Sequence, residues 1–215
     1  MIMIERYYAY MLRRTKEENM KEKMKKMNKI ILTDCDGVLL DWENSFHAWM
    51  YDNGYNKVVD GVYEMEVAYG IAKAETKKLV KEFNQSAWMC CLPALRDARS
   101  GVAKLVEAGY TFTCITSLSL DPYAKKLREE NLAKIFGQDV FNDVVCLDTG
   151  ADKDEALAPY KDTGLYWLED KPENAQLGAD LGLNTILINH EHNVGFMDKR
   201  ITNVDNWAQV CDIIL

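Results

Sequence analysis

Two aspartates follow directly after a short apolar run near the start of the chain. The stretch IILTDCDGVLLDW covers residues 30–42, and its Asp34 and Asp36 lie just past the apolar residues. A carboxylate can act as a nucleophile, and a carboxyl group two residues away can pass a proton to or from a reacting group. Carboxylates this close together repel one another unless a cation lies among them. The stretch therefore predicts nucleophilic and acid-base chemistry at a cation site.

Further groups of this kind follow other apolar runs. Thr116 and Ser117 end one run, Lys153 lies in a charged loop, and Glu169 and Asp170 end another run. Hydroxyl and ammonium groups can hold phosphate oxygens, and acidic groups can hold a metal ion. Mg²⁺ fits because it takes hard oxygen ligands and commonly uses one or two carboxylates together with a substrate phosphate. These residue types together indicate phosphoryl transfer.

The segments that must position these groups alternate between strand and helix patterns. Five short apolar runs rich in β-branched and aromatic residues predict buried parallel strands at 29–33, 111–116, 143–147, 165–168 and 185–188. Helical patterns lie between or after them at 98–108, from 121, at 173–181 and at 204–214. Such alternation predicts an α/β fold with a doubly wound parallel sheet, which binds ligands at the carboxyl ends of its strands. All the groups described above would then meet at one edge of the sheet.

Two parts of the chain break this alternation. Residues 45–92 show helical patterns, such as 72–83, and no convincing strand, so we expect a small helical cap inserted after the first strand. The catalytic core would then comprise residues 28–44 and 93–215.

Residues 1–27 are basic and show helical spacing. We expect a helical extension there, which would be a docked helix, an interaction arm or the product of a mis-assigned start.

Composition narrows the class of protein. The 215 residues are 48% hydrophobic, which is enough for a folded core. Net charge is -8, and residues 1–27 hold eight of the 26 basic side chains, so the remainder is strongly acidic and a nucleic acid polymer is a poor partner. Six cysteines form no CxxC pair, and no apolar stretch is long enough for a signal segment or a membrane span. We therefore expect a protein of the reducing cytoplasm without a membrane partner, and its oligomeric state stays open.

Four stretches together resemble the haloacid dehalogenase (HAD) superfamily of aspartate-nucleophile phosphatases. They are DCDGV at 34–38, ITS at 115–117, Lys153, and LEDK at 168–171, in that order along the chain. The resemblance implies a Mg²⁺-dependent hydrolase of small phosphate monoesters that works through an aspartyl-phosphate. It also implies a role for each site residue: Asp34 as nucleophile, Asp36 as acid and base, Thr116, Ser117 and Lys153 as phosphate binders, and Asp34, Asp36, Asp170 and Glu169 as metal ligands.

The substrate class depends on the cap side of the site. Trp42 lies six residues past Asp36, and a flat nucleobase could stack on its ring. The layout DGVLLDW, LPALRDA, CITS and LEDK loosely resembles the deoxyribonucleotidase branch of HAD enzymes, which implies a 5'-nucleotidase acting on nucleoside monophosphates. Three alternatives stay open: a sugar-phosphate phosphatase, a phosphomutase that would use the same residues, and a non-catalytic relative that only binds a phosphorylated ligand.

The triplet His190-Glu191-His192 contains residue types that can bind metals. Neighbours at i and i+2 in a loop rarely close a metal site without further ligands. We therefore expect this triplet to form a surface loop rather than a metal site.

Overall fold

The short apolar runs pair with one another into a single sheet in the computed structural model, which describes residues 29–62 and 64–215. The strands are β1 (Ile30–Thr33), β2 (Thr111–Thr116), β3 (Phe141–Cys146), β4 (Tyr166–Glu169), β5 (Asn184–Ile188) and β6 (Ile201–Val204). All pairs are parallel, and the order is β3-β2-β1-β4-β5-β6. The predicted doubly wound α/β sheet is confirmed. The predicted extension at 1–27 lies outside the described residues.

Strand order reverses in the middle of the sheet. The chain starts at β1, adds β2 and β3 on one side, and then returns to place β4 against the other side of β1. Across this pair, Leu32 lies beside Trp167 and Thr33 lies beside Leu168. Residues that follow β1 and residues that end β4 therefore meet at the switch point, where a doubly wound sheet binds its ligands.

Side chains of β1 alternate between two cores. Ile31 belongs to a large cluster that includes Phe112 and Trp207, whereas Leu32 packs with Trp167 in a second cluster. All five side chains are buried. A parallel strand with apolar residues on both faces needs cover on both faces, which is why this sheet lies between two layers of helices.

Eight helices surround or extend from the sheet in the described part of the chain. They begin where local signals predict: the Asp121 carboxylate accepts a hydrogen bond from the Tyr123 N–H at one start, and the Asn206 side chain accepts one from the Gln209 N–H at another. The helices are α1 (Trp42–Asp52), α2 (Met65–Tyr69), α3 (Lys73–Asn84), α4 (Ala98–Glu107), α5 (Pro122–Phe136), α6 (Asp154–Leu157), α7 (Pro172–Asp180) and α8 (Trp207–Ile214).

The edge strand β6 is absent from the sequence prediction. Only its terminal residues Ile201 and Val204 are buried, while Thr202 and Asn203 are exposed. An edge strand needs no continuous apolar run, so this segment lacks the pattern that identified the central strands. The helix predicted at 204–214 accordingly begins at Trp207, three residues later than predicted, and is α8.

The long connection from β1 to β2 carries α1, α2, α3 and α4, and its described residues contain no strand of the sheet. Its side chains Phe46, Phe83 and Met89 are buried in the same cluster as Ile31 of β1. The boundaries of a separate cap at 45–92 therefore stay a prediction. No helix among the described residues is long and apolar enough to cross a membrane.

Candidate active site

The carboxyl ends of β1, β2 and β4 open into one cavity of about 740 Å³. Because parallel strands end at the same edge, residues far apart in sequence reach this cavity together. The structure brings all eight predicted site residues to its lining: Asp34, Asp36, Trp42, Thr116, Ser117, Lys153, Glu169 and Asp170.

The Asp34 carboxylate is held in one orientation at the end of β1. The backbone N–H of Asp34 donates to the Leu168 carbonyl at 2.8 Å, which fixes the residue against β4. Oδ1 accepts a hydrogen bond from the Cys35 N–H at 2.6 Å, and Oδ2 lies 2.7 Å from Nζ of Lys153. The residue is 8% exposed and lines the cavity. This is a carboxylate with little freedom, placed where a substrate atom could meet it.

Lys153 is a buried cation between two acidic side chains. It lies at the start of α6, and its Nζ is 3.0 Å from Oε2 of Glu169 in addition to its contact with Asp34. Burial lowers the pKa of Lys153, but the two carboxylates together raise it by more than burial lowers it. The net shift is therefore upward, and the ammonium keeps its charge. Lys153 is therefore a fixed positive charge beside the candidate nucleophile.

Three carboxylates cluster beside this one ammonium. Oxygens of Asp34, Glu169 and Asp170 lie within 4.8 Å of one another. Burial, reinforced by the neighbouring carboxylates, raises the pKa of Asp170 and brings that of Glu169 to about 7. These upward shifts show that the one ammonium does not offset burial and the repulsion among three crowded carboxylates, and hard carboxylate oxygens are the ligands that Mg²⁺ takes. The residues present fit a Mg²⁺ ion, and their role as its ligands stays a proposal.

The loop after Asp34 approaches Asp170 closely because residue 37 has no side chain. Gly37 has a φ of +76°, and a Cβ at this position would lie 2.1 Å from Oδ2 of Asp170. Both the backbone conformation and the space therefore require glycine. A change to alanine would push the loop and the carboxylate apart.

Asp36 is held by a residue that the sequence analysis missed. Arg128 on α5 is fully buried, and its two terminal nitrogens lie 2.5 and 3.0 Å from the two carboxylate oxygens of Asp36. The same guanidinium contacts Sγ of Cys35 at 2.7 Å and Sδ of Met89 at 3.5 Å. Burial raises the pKa of Asp36, while Arg128 acts in the opposite direction, and the net shift is upward. The position of Asp36 near Asp34 is therefore set by a two-point contact from another part of the fold.

The surroundings of Asp36 bear on its two predicted roles. Both of its carboxylate oxygens accept from Arg128, and among the described residues the three-carboxylate group does not include it. Each oxygen keeps a second lone pair, so these contacts leave room for a metal ion or a proton. The metal-ligand role and the acid-base role of Asp36 both stay predictions.

A signal for Arg128 exists in the sequence. The buried positions of α5 are 124, 127, 128, 131 and 132, which is the spacing of a helix face that packs on a core. Two of these five positions carry polar residues, Arg128 and Asn131. Polar residues in an apolar helical stripe indicate buried partners, and Asn131 indeed donates to the Leu92 carbonyl at 3.0 Å.

The two hydroxyl residues at the end of β2 differ in their surroundings. Thr116 is buried, and its carbonyl accepts the N–H of Leu147 at 2.9 Å. The Ser117 hydroxyl donates to the carbonyl of Ala151 at 2.7 Å. That bond uses the proton of Ser117, so this hydroxyl must change partner before it can donate to a phosphate oxygen. Phosphate binding by both residues stays a prediction.

Trp42 lies on the helical side of the cavity. One face of its ring stacks on Phe46, with ring centres 4.7 Å apart, and the Trp42 and Phe83 rings form a T-shaped contact. The indole N–H donates to Oδ1 of Asn84 at 2.9 Å, and Asn84 donates to the carbonyl of Leu118 beyond β2. Trp42 therefore helps to hold the helical wall together and also borders the cavity.

The triplet at 190–192 does not form the expected surface loop. The rings of His190 and His192 stack with centres 5.3 Å apart, and Nε2 of His190 lies 2.6 Å from the Gly37 carbonyl oxygen. Both histidines line the cavity. The expectation was wrong because buried Asn193 donates to the carbonyls that follow β4 and end β5, which folds this turn over the site.

Comparison with known proteins finds similarity in structure. No family model and no curated protein sequence matches the chain. A haloacid dehalogenase-like hydrolase, SP0104 from Streptococcus pneumoniae, is 12% identical, with 87% of this chain and 98% of that chain covered and a TM-score of 0.59. CbbY from Rhodobacter sphaeroides, solved with phosphate, is 16% identical, with 85% and 96% covered and a TM-score of 0.55. A protein described as a predicted phosphoglycolate phosphatase from Haemophilus somnus 129pt is 12% identical, with 87% and 98% covered and a TM-score of 0.55.

These similarities extend over nearly the whole of each related chain, and at 12 to 16% identity they establish the fold. The chain therefore has the fold of the haloacid dehalogenase-like hydrolases.

Proposed function

We propose that this protein is a Mg²⁺-dependent phosphate monoester hydrolase that works through an aspartyl-phosphate on Asp34. The observation that carries the proposal is the oriented Asp34 carboxylate, which lies 2.7 Å from buried Lys153 at the base of a cavity. An ion pair with only a structural role would not need to border a cavity of this kind. The acid-base candidate Asp36 lines the same cavity.

In the first half-reaction an oxygen of Asp34 attacks phosphorus, and the bond from phosphorus to the leaving oxygen breaks. The electron pair of that bond stays on the leaving oxygen, which takes a proton from Asp36. Lys153 stabilises the negative charge on the transferring phosphoryl oxygens. Arg128 keeps Asp36 in place through both carboxylate oxygens.

In the second half-reaction a water molecule attacks the phosphorus of the aspartyl-phosphate. Asp36 takes the proton of this water, inorganic phosphate leaves, and the Asp34 carboxylate is restored. Thr116 and Ser117 lie at the cavity lining, where their hydroxyls can hold phosphate oxygens.

Asp34, Glu169 and Asp170 would hold the Mg²⁺ ion. When bound, this ion supplies positive charge that offsets the repulsion between these carboxylates and the substrate phosphate. Glu169 is further fixed by the side-chain amide of Asn174, which donates to Oε1 at 3.0 Å.

Two substrate classes have a specific observation in their favour. Trp42 borders the cavity and offers a ring on which a nucleobase could stack, which favours nucleoside monophosphates. CbbY has been solved with phosphate and with xylulose-(1,5)bisphosphate, which favours sugar phosphates. Sugar phosphates are at least as well supported as nucleotides, so the substrate that we propose is a small phosphate monoester of either class. A phosphomutase would use the same residues of this chain.

We also propose the reducing cytoplasm as the site of this activity, because all six cysteines are free. Residues 45–92, which supply much of the helical wall, would act as the cap that selects the leaving group.

A panel of phosphate monoesters tests the proposal. Release of inorganic phosphate should be measured from sugar phosphates, nucleoside monophosphates and aryl phosphates, with Mg²⁺ and after chelation, and with Asp34→Asn protein as the matched control. We expect turnover that needs both Mg²⁺ and Asp34. Turnover that persists in the Asp34→Asn protein would contradict the mechanism. A wild-type protein that binds these esters and hydrolyses none would favour the non-catalytic alternative.

A further inference from the structure

We propose that His190 is a positioning residue for the catalytic turn, defined here as residues 34–38, and that it holds this turn through the carbonyl oxygen of Gly37. The inference rests on the proposed function, which makes Asp34 the nucleophile and Asp36 the acid and base. His190 acts through the backbone of the turn and not through contact with the substrate.

The catalytic turn needs an external contact because a glycine lies within it. Gly37 has a φ of +76°, and its Cα lies so close to Asp170 that a Cβ would clash with the carboxylate. Glycine permits this close approach, but it also leaves the backbone on either side free to rotate. Asp36 directly precedes Gly37, so a rotation here would move Asp36 relative to Asp34. A misplacement of about 1 Å in a reacting group costs about a hundredfold in rate.

His190 supplies this contact from the turn that follows β5. Its Nε2 lies 2.6 Å from the Gly37 carbonyl oxygen. A carbonyl oxygen only accepts hydrogen bonds, so Nε2 must carry the proton. The ring also stacks on His192, with centres 5.3 Å apart, which limits its rotation. Gly37 is therefore held by a donor whose own orientation is fixed.

Arg96 selects the tautomer of His190 that this contact requires. One terminal nitrogen of Arg96 lies 3.3 Å from Nδ1 of His190 and donates to the Asn189 carbonyl at 3.0 Å. The other terminal nitrogen donates to the Asp205 carbonyl at 2.6 Å. Because a guanidinium only donates, Nδ1 must accept, and the ring proton stays on Nε2. Burial lowers the pKa of His190 despite the opposing effect of the Gly37 contact, so the ring is neutral at pH 7.

The backbone of Arg96 is strained where it serves this arrangement. Its φ is +40°, in the left-handed region that residues other than glycine rarely adopt. Arg96 directly follows the segment that returns from the helical wall, where the Leu95 N–H donates to the Leu39 carbonyl at 2.9 Å. Strained residues of this kind persist where several contacts hold them, and they cluster at functional sites. The strain at Arg96 therefore supports a role for its guanidinium at the catalytic turn.

A matched pair of substitutions tests the role of His190. The amide nitrogen of glutamine is as many bonds from Cα as Nε2 of histidine, whereas that of asparagine reaches only the position of Nδ1. His190→Gln can therefore still donate to the Gly37 carbonyl, and His190→Asn cannot. Both variants lose the ring and its stacking on His192. A merely structural role of the ring would thus lower kcat and Tm by the same amount in both.

Steady-state kinetics on the best phosphate monoester distinguish the two variants. We expect kcat to fall by about tenfold or more in His190→Asn, with little change in KM, because the reacting groups are misplaced while the cavity is kept. In His190→Gln we expect kcat to stay within about threefold of the wild type. Equal kcat values in the two variants would overturn the role of His190 as a positioning residue.

Nuclear magnetic resonance separates a failure of this inference from a failure of the proposed function. Long-range ¹H–¹⁵N correlation spectra show which ring nitrogen of each of the three histidines carries a proton. We expect a neutral His190 ring with its proton on Nε2, and a proton on Nδ1 would overturn the inference. The Val38 N–H shares a peptide group with the Gly37 carbonyl, so its ¹⁵N resonance should move in His190→Asn and stay near the wild-type position in His190→Gln.

These spectra need no turnover. A wild type that hydrolyses no ester would overturn the hydrolase proposal alone, and the Nε2 proton with the selective movement of the Val38 resonance would still support His190 as the residue that holds the turn. A Val38 resonance that responds equally to both substitutions would overturn the inference whether or not the protein is a hydrolase.

Discussion

The charged groups on the two walls of the cavity are held in opposite ways. On the sheet edge, Asp34, Lys153 and Glu169 are 8%, 1% and 0% exposed, and each contacts a charge of opposite sign. On the helical wall, Lys77 and Lys81 are exposed and form no salt bridge within the described ranges. Groups locked by buried charge pairs suit a reaction that needs fixed geometry, whereas exposed groups can be exchanged without disturbing a core. Substitutions on the sheet edge should therefore change kcat and stability, and substitutions on the helical wall should change substrate preference.

The largest expected effect is that of Asp34→Asn. It removes the nucleophile at nearly constant volume, so kcat should fall by about a thousandfold or more. Lys153 keeps Glu169 as a partner at 3.0 Å, so the fold should survive. Steady-state kinetics and thermal melting of the purified variant test both statements. Activity within about tenfold of the wild type would rule out Asp34 as the nucleophile.

Asp36→Asn should reduce both activity and stability. The loss of proton transfer should lower kcat by about 10² to 10⁴, least for aryl phosphates with good leaving groups. Fully buried Arg128 would also lose its charge partner. Breaking a buried ion pair lowers the free energy of unfolding by about 3-5 kcal/mol. This figure is an upper bound here, because the Asp36 side chain is partly exposed. Denaturant unfolding, with Asp34→Asn as the comparison, measures the difference.

A double variant sharpens this prediction. Asp36→Asn combined with Arg128→Met removes the unpaired buried charge, so it should recover much of the lost free energy of unfolding without recovering kcat. If Asp36→Asn unfolds at the wild-type denaturant concentration, the Arg128 contact contributes little to stability and the account of Asp36 is wrong.

The same contrast explains what the sequence could predict. Asp34, Thr116 and Glu169 were found because each lies at the carboxyl end of a central strand, and parallel strands bring their ends to one edge by geometry alone. Arg128 was missed because it lies 92 residues from Asp36 in the middle of a helix, where packing rather than local pattern sets the partner. The turn around His190 was misplaced for the same kind of reason, since its position depends on hydrogen bonds of Asn193 to two strand ends.

Mg²⁺ should stabilise the protein by a smaller amount. The ion relieves the repulsion between the carboxylates at Asp34, Glu169 and Asp170, so saturating Mg²⁺ should raise the Tm by several degrees, as expected for about 2-3 kcal/mol of binding linkage. Asp170→Asn should remove most of this shift. A Tm that is the same with Mg²⁺ and with chelator would argue against a metal site at this cluster.

The smallest expected effect concerns Trp42 and the choice of nucleotide or sugar phosphate. Trp42→Leu keeps an apolar contact to Phe46 but removes the ring, so kcat/KM for nucleoside monophosphates should fall by about tenfold while that for sugar phosphates changes less. Competition between the two substrate classes gives the ratio directly. Equal losses on both classes would mean that Trp42 acts through the packing of the helical wall, and nucleotide stacking would be excluded.

Trapping of the phosphorylated protein tests the central claim most directly. Wild-type protein would be mixed with its best substrate and Mg²⁺, quenched in acid within a turnover, and mapped by peptide mass spectrometry, with borohydride reduction to convert an aspartyl-phosphate to homoserine. The account predicts one phosphoryl group on Asp34, absent from the Asp34→Asn protein. Turnover without a phosphorylated residue, or a phosphoryl group on any other side chain, would contradict it.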